Sequence, residues 1–147
     1  MSPSAFDLDR FVQAQERTYA TVLAELKAGH KRTHWIWFIF PQLRGLGFSA
    51  MSQAYGLSGL AEASAYLAHP ILGTRLLECI QVLLTHAGTP ANVILGETDA
   101  LKLRSCLTLF AAADPGNPLL GQALQAFFNG QLDTQTTTLL TTTRTRP

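Results

Sequence analysis

Apolar residues recur at three- and four-residue steps along almost the whole chain, a spacing that fits packed helices and little else. Leu8, Phe11, Val12, Tyr19, Val22, Leu23 and Leu26 form one such stripe, with Asp7 as its expected N-cap and Gly29 as its stop. Further helices are expected over 49–55, from 58 to just before Pro70, over 71–86, and over 97–113. The residue before a proline is pushed out of the α region, so His69-Pro70 marks a boundary. Thr89-Pro90 reads as an N-cap followed by proline at the first helical position, opening a short helix that Gly96 closes. Asp114-Pro115-Gly116-Asn117-Pro118 is a turn cluster in which Asn117 caps a helix over 118–128, ended by Asn129-Gly130. Asp133 is expected to cap a final short turn. Beyond Leu140 the apolar periodicity stops, so 1–140 is read as a single helical domain and 141–147 as a flexible, Thr/Arg-rich tail. No strand–turn–helix alternation with a Gly-rich phosphate loop is present, which argues against a nucleotide-binding α/β fold. The expected fold is all-α, a single compact domain of about six to eight helices around one core.

Charge narrows the function classes. Only 14% of the 147 residues are charged, against about 25% in an average soluble domain, and the net charge is +1. That balance gives no clear nucleic-acid signal and no argument for a membrane surface. The hydrophobic fraction of 47% excludes a disordered chain. Cys79 and Cys106 form no C-x-x-C pair and read as buried free thiols of a reducing compartment. No secretory signal is visible at Met1–Asp7, and the most apolar run, Trp35–Phe40, is far short of the ~20 residues that span a bilayer. A soluble cytoplasmic protein is expected.

The stretch His34-Trp35-Ile36-Trp37-Phe38-Ile39-Phe40 breaks the helical pattern. Its aromatic and β-branched residues favour strand locally, and it is too apolar on both faces to lie on a surface. It is a buried short helix or a buried extended segment; the lack of a partner strand nearby favours the helix. Pro41 ends it, and Gly45 and Gly47 follow.

Three constellations are candidates for chemistry. In Lys31-Arg32-Thr33-His34-Trp35-x-Trp37, followed by Pro41-Gln42, a basic cluster abuts an aromatic pair, a junction able to hold an anion beside a flat ring. The plainer alternative makes both tryptophans core. In Lys102-Leu103-Arg104-Ser105-Cys106-Leu107-Thr108, helical geometry puts Leu103, Cys106 and Leu107 on an apolar face and Arg104, Ser105 and Thr108 opposite, with Lys102 at the margin. Two cations and two hydroxyls there would suit a carboxylate or phosphate, or else form an ordinary solvated face. In His69-Pro70-Ile71-Leu72-Gly73-Thr74-Arg75 a histidine precedes a helix, where it could move a proton or simply cap and pack. His30 and His34 are four apart, but Gly29 and the intervening cations speak against a metal, and neither metal nor cofactor is expected.

Together these segments resemble a bacterial family, domain-of-unknown-function family 1810. The matching pieces are Lys31-Arg32-x-His34-Trp35-x-Trp37-Phe38-Ile39-Phe40-Pro41-Gln42, then Gly45-Leu46-Gly47-x-Ser49-x-Met51 with Tyr55. They continue in Tyr66-Leu67-x-His69-Pro70-x-Leu72-Gly73-x-Arg75-Leu76 and Lys102-Leu103-Arg104-Ser105-x-x-Thr108-Leu109-Phe110. The resemblance covers roughly Phe6–Leu140 and implies a mainly helical single domain without implying an activity. Such proteins are sometimes called calpastatin-like, yet nothing here resembles an extended protease inhibitor. Where members often carry Ser-Ser-Met-Thr, this chain has Ser105-Cys106-Leu107-Thr108, which weakens any nucleophilic role for Cys106.

The leading expectation is a site for a small anionic or nucleotide-like ligand. Trp35, Trp37 and Tyr55 would form its walls, Lys31, His34, Arg75, Lys102 and Arg104 would supply donors, Ser105 and Thr108 would orient the ligand, and Gln42 would be a further ligand-binding residue. If the protein is an enzyme, His34 or His69 is the expected proton carrier in hydrolysis or transfer on a phosphate- or glycosidic-type bond. The second reading is a non-catalytic helical adaptor or regulatory domain. The two separate on exposure: a ligand site needs Trp35 or Trp37 to line a cavity, whereas an adaptor buries both and exposes an apolar patch elsewhere.

Overall fold

A computed structural model describes residues 6–145, with side chains described through residue 141. The chain is all-α. Its helices in order are α1 (Asp9–Glu16), α2 (Tyr19–Ala28), α3 (Ile36–Ile39), α4 (Ala50–Tyr55), α5 (Leu60–Ala68), α6 (Leu72–Leu84), α7 (Ala91–Leu95), α8 (Glu97–Ala113), α9 (Pro118–Phe128) and α10 (Thr134–Thr145). Seven of these have eight residues or more; α3, α4 and α7 are short. Among the described residues there is no strand, only one parallel bridge between Leu43 and Leu57. No single helix among them is long and apolar enough to cross a membrane.

The sequence signals act where the backbone needs them. Gly29 ends α2 in the left-handed region at φ 73°, and Asn129 ends α9 at φ 54°. Asn117 accepts the Leu119 N–H at 3.1 Å and caps α9. His69 closes α5, and Pro70 separates it from α6, whose axis turns by 87°. Gly73 makes that corner possible, because a Cβ there would lie 2.0 Å from the Leu67 carbonyl oxygen.

Four expectations need correction. The first stripe is two helices, broken at Arg17-Thr18, where the Thr18 hydroxyl donates to the Ala14 carbonyl at 3.0 Å. The residue at the N-cap of α1 is Leu8, not Asp7, and at α7 it is Pro90, not Thr89. The element after Asp133 is a twelve-residue helix, not a short turn. Asp133 does cap it, accepting the Thr136 N–H at 2.9 Å and hydroxyl at 2.6 Å. Residues 146–147 of the expected tail lie outside the described residues.

Helix α8 is the axis of the fold and packs against α3, α5, α7, α9 and α10, while α6 packs on α2, α5 and α9. Central position explains the fourth correction. The run Ser105–Phe110 is buried throughout, so α8 has no polar face opposite Leu103 and Cys106. Ser105 and Thr108 instead turn their hydroxyls back to the carbonyls of Leu101 (3.2 Å) and Arg104 (2.8 Å). Thr108 also accepts the Asp133 N–H at 2.9 Å and ties the start of α10 to α8. The aromatic block is one helical turn, α3, with Trp35, Ile36, Phe38, Ile39 and Phe40 buried.

Candidate functional site

Pro41 ends α3, and the chain then loops outward over residues 42–49 before α4 begins. The loop is fastened at its base by the Arg44 N–H to the Leu57 carbonyl (2.7 Å) and the Leu57 N–H to the Gln42 carbonyl (2.8 Å). Gly56 permits this approach, since a Cβ there would meet the Arg44 Cα at 2.8 Å and the Ser52 carbonyl at 2.6 Å. At the far end Ser49 caps α4, accepting the Ser52 N–H at 3.1 Å. Between these anchors lie Gly45 at φ 105°, Leu46, Gly47 and Phe48, whose ring is 89% exposed.

Beneath the loop is a cavity of about 210 Å³. Trp37, Leu43, Leu46, Phe48 and Tyr55 supply its apolar walls, and Gln42 and Lys102 its principal polar groups. Tyr55 is set by ring contacts with Phe11 (5.6 Å) and Phe38 (5.5 Å). The Lys102 ammonium lies 4.2 Å from the centre of the Trp37 ring, a cation–π contact. A second, wider depression of about 400 Å³ adjoins it and shares Gln42, Leu46 and Lys102. Arg104, Ser105, Asp133 and Gln135 are among its lining residues.

The charge around Lys102 is organised from the 30s segment. Lys31 is almost fully buried and bonds Asp99 at 2.7 Å; Asp99 bonds Lys102 at 3.3 Å. Two cations on one carboxylate leave a net positive charge beside Trp37. The segment carrying Lys31 is itself held by Glu25. Its carboxylate accepts the N–H groups of Arg32 (2.8 Å) and Thr33 (3.1 Å), the Thr33 hydroxyl (2.7 Å) and the Trp35 indole N–H (2.9 Å). Burial alone would raise this carboxyl's pKa, but the bonds from Arg32, Trp35 and Thr33 outweigh it and bring the pKa down to about 2.

The expected site residues therefore divide. Trp37, Gln42, Tyr55 and Lys102 meet at the inner cavity, and Arg104 and Ser105 join at the outer depression. Lys31 lines neither; it pairs with Asp99 and lies 5.0 Å from the Trp35 ring centre. Trp35, 1% exposed, is a core residue bonded to Glu25 rather than a wall. Arg75 contacts Gln15 (3.3 Å), Glu16 (3.9 Å) and the Tyr19 ring (4.7 Å) and lines no part of the cavity. His69 accepts the N–H groups of Ile71 (3.1 Å) and Leu72 (3.2 Å) at Nδ1, so it caps α6. His34 is exposed and lines neither depression. Thr108 is a buried tether. Leu46, Phe48, Asp99 and Asp133 are not among the site residues the sequence suggests, although Asp133 reads there as a cap. Among the described residues no three His, Cys, Asp or Glu side chains are grouped to hold a metal.

The family described as "Protein of unknown function (DUF1810)" matches residues 5–140. The chain belongs to this family. Among solved structures it is similar to the conserved hypothetical protein Rv1873 from Mycobacterium tuberculosis. The two are 47% identical with a TM-score of 0.92, over 94% of this chain and 99% of that one. No curated protein matches the chain. The two chains share one fold.

Proposed function

We propose that this domain binds a small ligand made of a flat ring and an anionic group, seated beneath the 42–49 loop. The observation that carries the reading is unused bonding capacity in an aromatic-walled cavity. Lys102 has three donors and gives one to Asp99. The Gln42 amide and the Tyr55 hydroxyl form no hydrogen bond among the described residues, yet both line the cavity. Half-buried polar groups without protein partners suit a ligand's acceptors. Size limits what the inner cavity takes: about 150 Å³ holds benzene, so 210 Å³ suits one ring system there. Trp37 lines the cavity, which favours a ligand site over the adaptor reading. Neither histidine lines it, so binding is supported better than hydrolysis or transfer by His34 or His69.

The test is calorimetry with benzoate and nicotinate on wild type and Lys102→Met. Lys31 still neutralises Asp99 in the variant, so the fold is expected to survive. The reading expects binding by the wild type and at least a ten-fold loss in Lys102→Met. Equal affinity in the two proteins would overturn it.

A further inference from the structure

Arg104 is a half-buried cation whose guanidinium is poorly matched among the described residues. Its side chain is 28% exposed, its Nε is buried without a hydrogen-bond partner, and no donor of its guanidinium forms a hydrogen bond among the described residues. Its only charge partner among the described residues is Asp133 at 4.0 Å, beyond hydrogen-bond range, and the Phe128 ring centre lies 6.0 Å away. Arg10 shows the contrast: it bonds the carbonyls of Asp7, Ala54 and Gly56 and the Glu62 carboxylate. A guanidinium carries five donors in a planar fork, and the one buried at Nε, cut off from water, is costly to leave unmatched. Asp133 is not free to serve Arg104 better, because its other oxygen accepts both the N–H and the hydroxyl of Thr136.

The outer depression that Arg104 lines is shared with Lys102, and through Lys102, Gln42 and Leu46 it opens onto the aromatic cavity. We infer that the anionic group of the ligand is a phosphomonoester, held in the outer depression between Lys102 and Arg104 while the ring occupies the inner cavity. A tetrahedral phosphate offers acceptors in several directions, which suits a point-charge donor on one side and a fork on the other. A carboxylate at Lys102 would leave Arg104 as it stands. The inference rests on the ring-binding reading and specifies its substrate class. Asp133 is the opposing charge in this depression, so it sets a second, opposite expectation.

The experiment is calorimetry with phenyl phosphate and benzoate, a pair sharing a ring and differing in the anion, on wild type, Arg104→Gln and Asp133→Asn. Asparagine caps helices about as well as aspartate, so Asp133→Asn is expected to keep α10 in place. Phenyl phosphate is expected to bind the wild type at least ten-fold more tightly than benzoate does. Arg104→Gln should erase that preference and leave benzoate unchanged; Asp133→Asn should enlarge it. Benzoate and phenyl phosphate binding equally to the wild type would overturn the phosphate subsite and leave the ring-binding reading standing. A preference that persists in Arg104→Gln would remove Arg104 from the subsite. Binding of neither compound would overturn both.

Discussion

Replacing Glu25 by glutamine removes one charge from the segment that carries Lys31 and Trp35, and changes little else. Glutamine is isosteric. Its carbonyl oxygen can keep the bonds from Arg32, Thr33 and Trp35 that Oε1 now accepts, and its amide can face the Thr33 hydroxyl. The variant therefore isolates the worth of the negative charge. A carboxyl held near pH 2 in the fold, against an ordinary value of 4.5, contributes about 3 kcal/mol at neutral pH, at about 1.4 kcal/mol per tenfold change in proton affinity. Because the folded pKa is depressed, the contribution is fully present above about pH 4.5. It is lost as pH falls toward 2. Urea unfolding of wild type and Glu25→Gln across pH 2–7 checks this directly. The wild type should be more stable by about 3 kcal/mol at pH 7, and the two curves should converge between pH 4.5 and pH 2. A gap that stays constant from pH 7 to pH 2 would refute the reasoning, because it would assign the loss to packing and not to charge.

Two further outcomes follow from packing. Gly73→Ala should cost about 3 kcal/mol or more in thermal unfolding, since the Leu67 carbonyl cannot give way to a Cβ 2.0 Å distant without opening the α5–α6 corner. Burial pushes the Cys79 thiol up to about 12 and the Cys106 thiol well above its ordinary range. Both thiols should therefore be silent toward a disulfide reagent at pH 8 in the native protein and react only in denaturant.

Local chemistry made much of the fold legible. Gly29, Gly96, Asn117 and Asn129 each mark a helix end because left-handed backbone and side-chain caps depend on residue type, not on tertiary surroundings. The break at Arg17-Thr18 was hidden because Val12, Tyr19 and Val22 keep helical spacing across it. The faces of α8 are not legible in the sequence for a different reason. A helix packed on five others has no solvent side over Ser105–Phe110, and small hydroxyl residues enter such an interior by bonding their own helix carbonyls. At the site, Trp37, Gln42, Tyr55 and Lys102 were found because a cation beside aromatics stands out in a chain with 14% charged residues. Leu46 and Phe48 were not, because nothing local marks an apolar residue on a glycine-flanked loop as a cavity wall. Trp35 and Trp37 look alike in sequence. In the fold the first bonds Glu25 and packs on Phe40 in the core, while the second is half-buried beside Lys102.

That difference between the two tryptophans supplies the most direct test of the ligand site. The two indole N–H signals of a ¹⁵N-labelled sample can be assigned with Trp37→Phe and followed while phenyl phosphate or benzoate is added. The account predicts that the Trp37 signal moves with saturation while the Trp35 signal, bonded to Glu25 in the core, stays where it is. Saturable movement of Trp35 with Trp37 unmoved, or no movement of either at millimolar ligand, would contradict it.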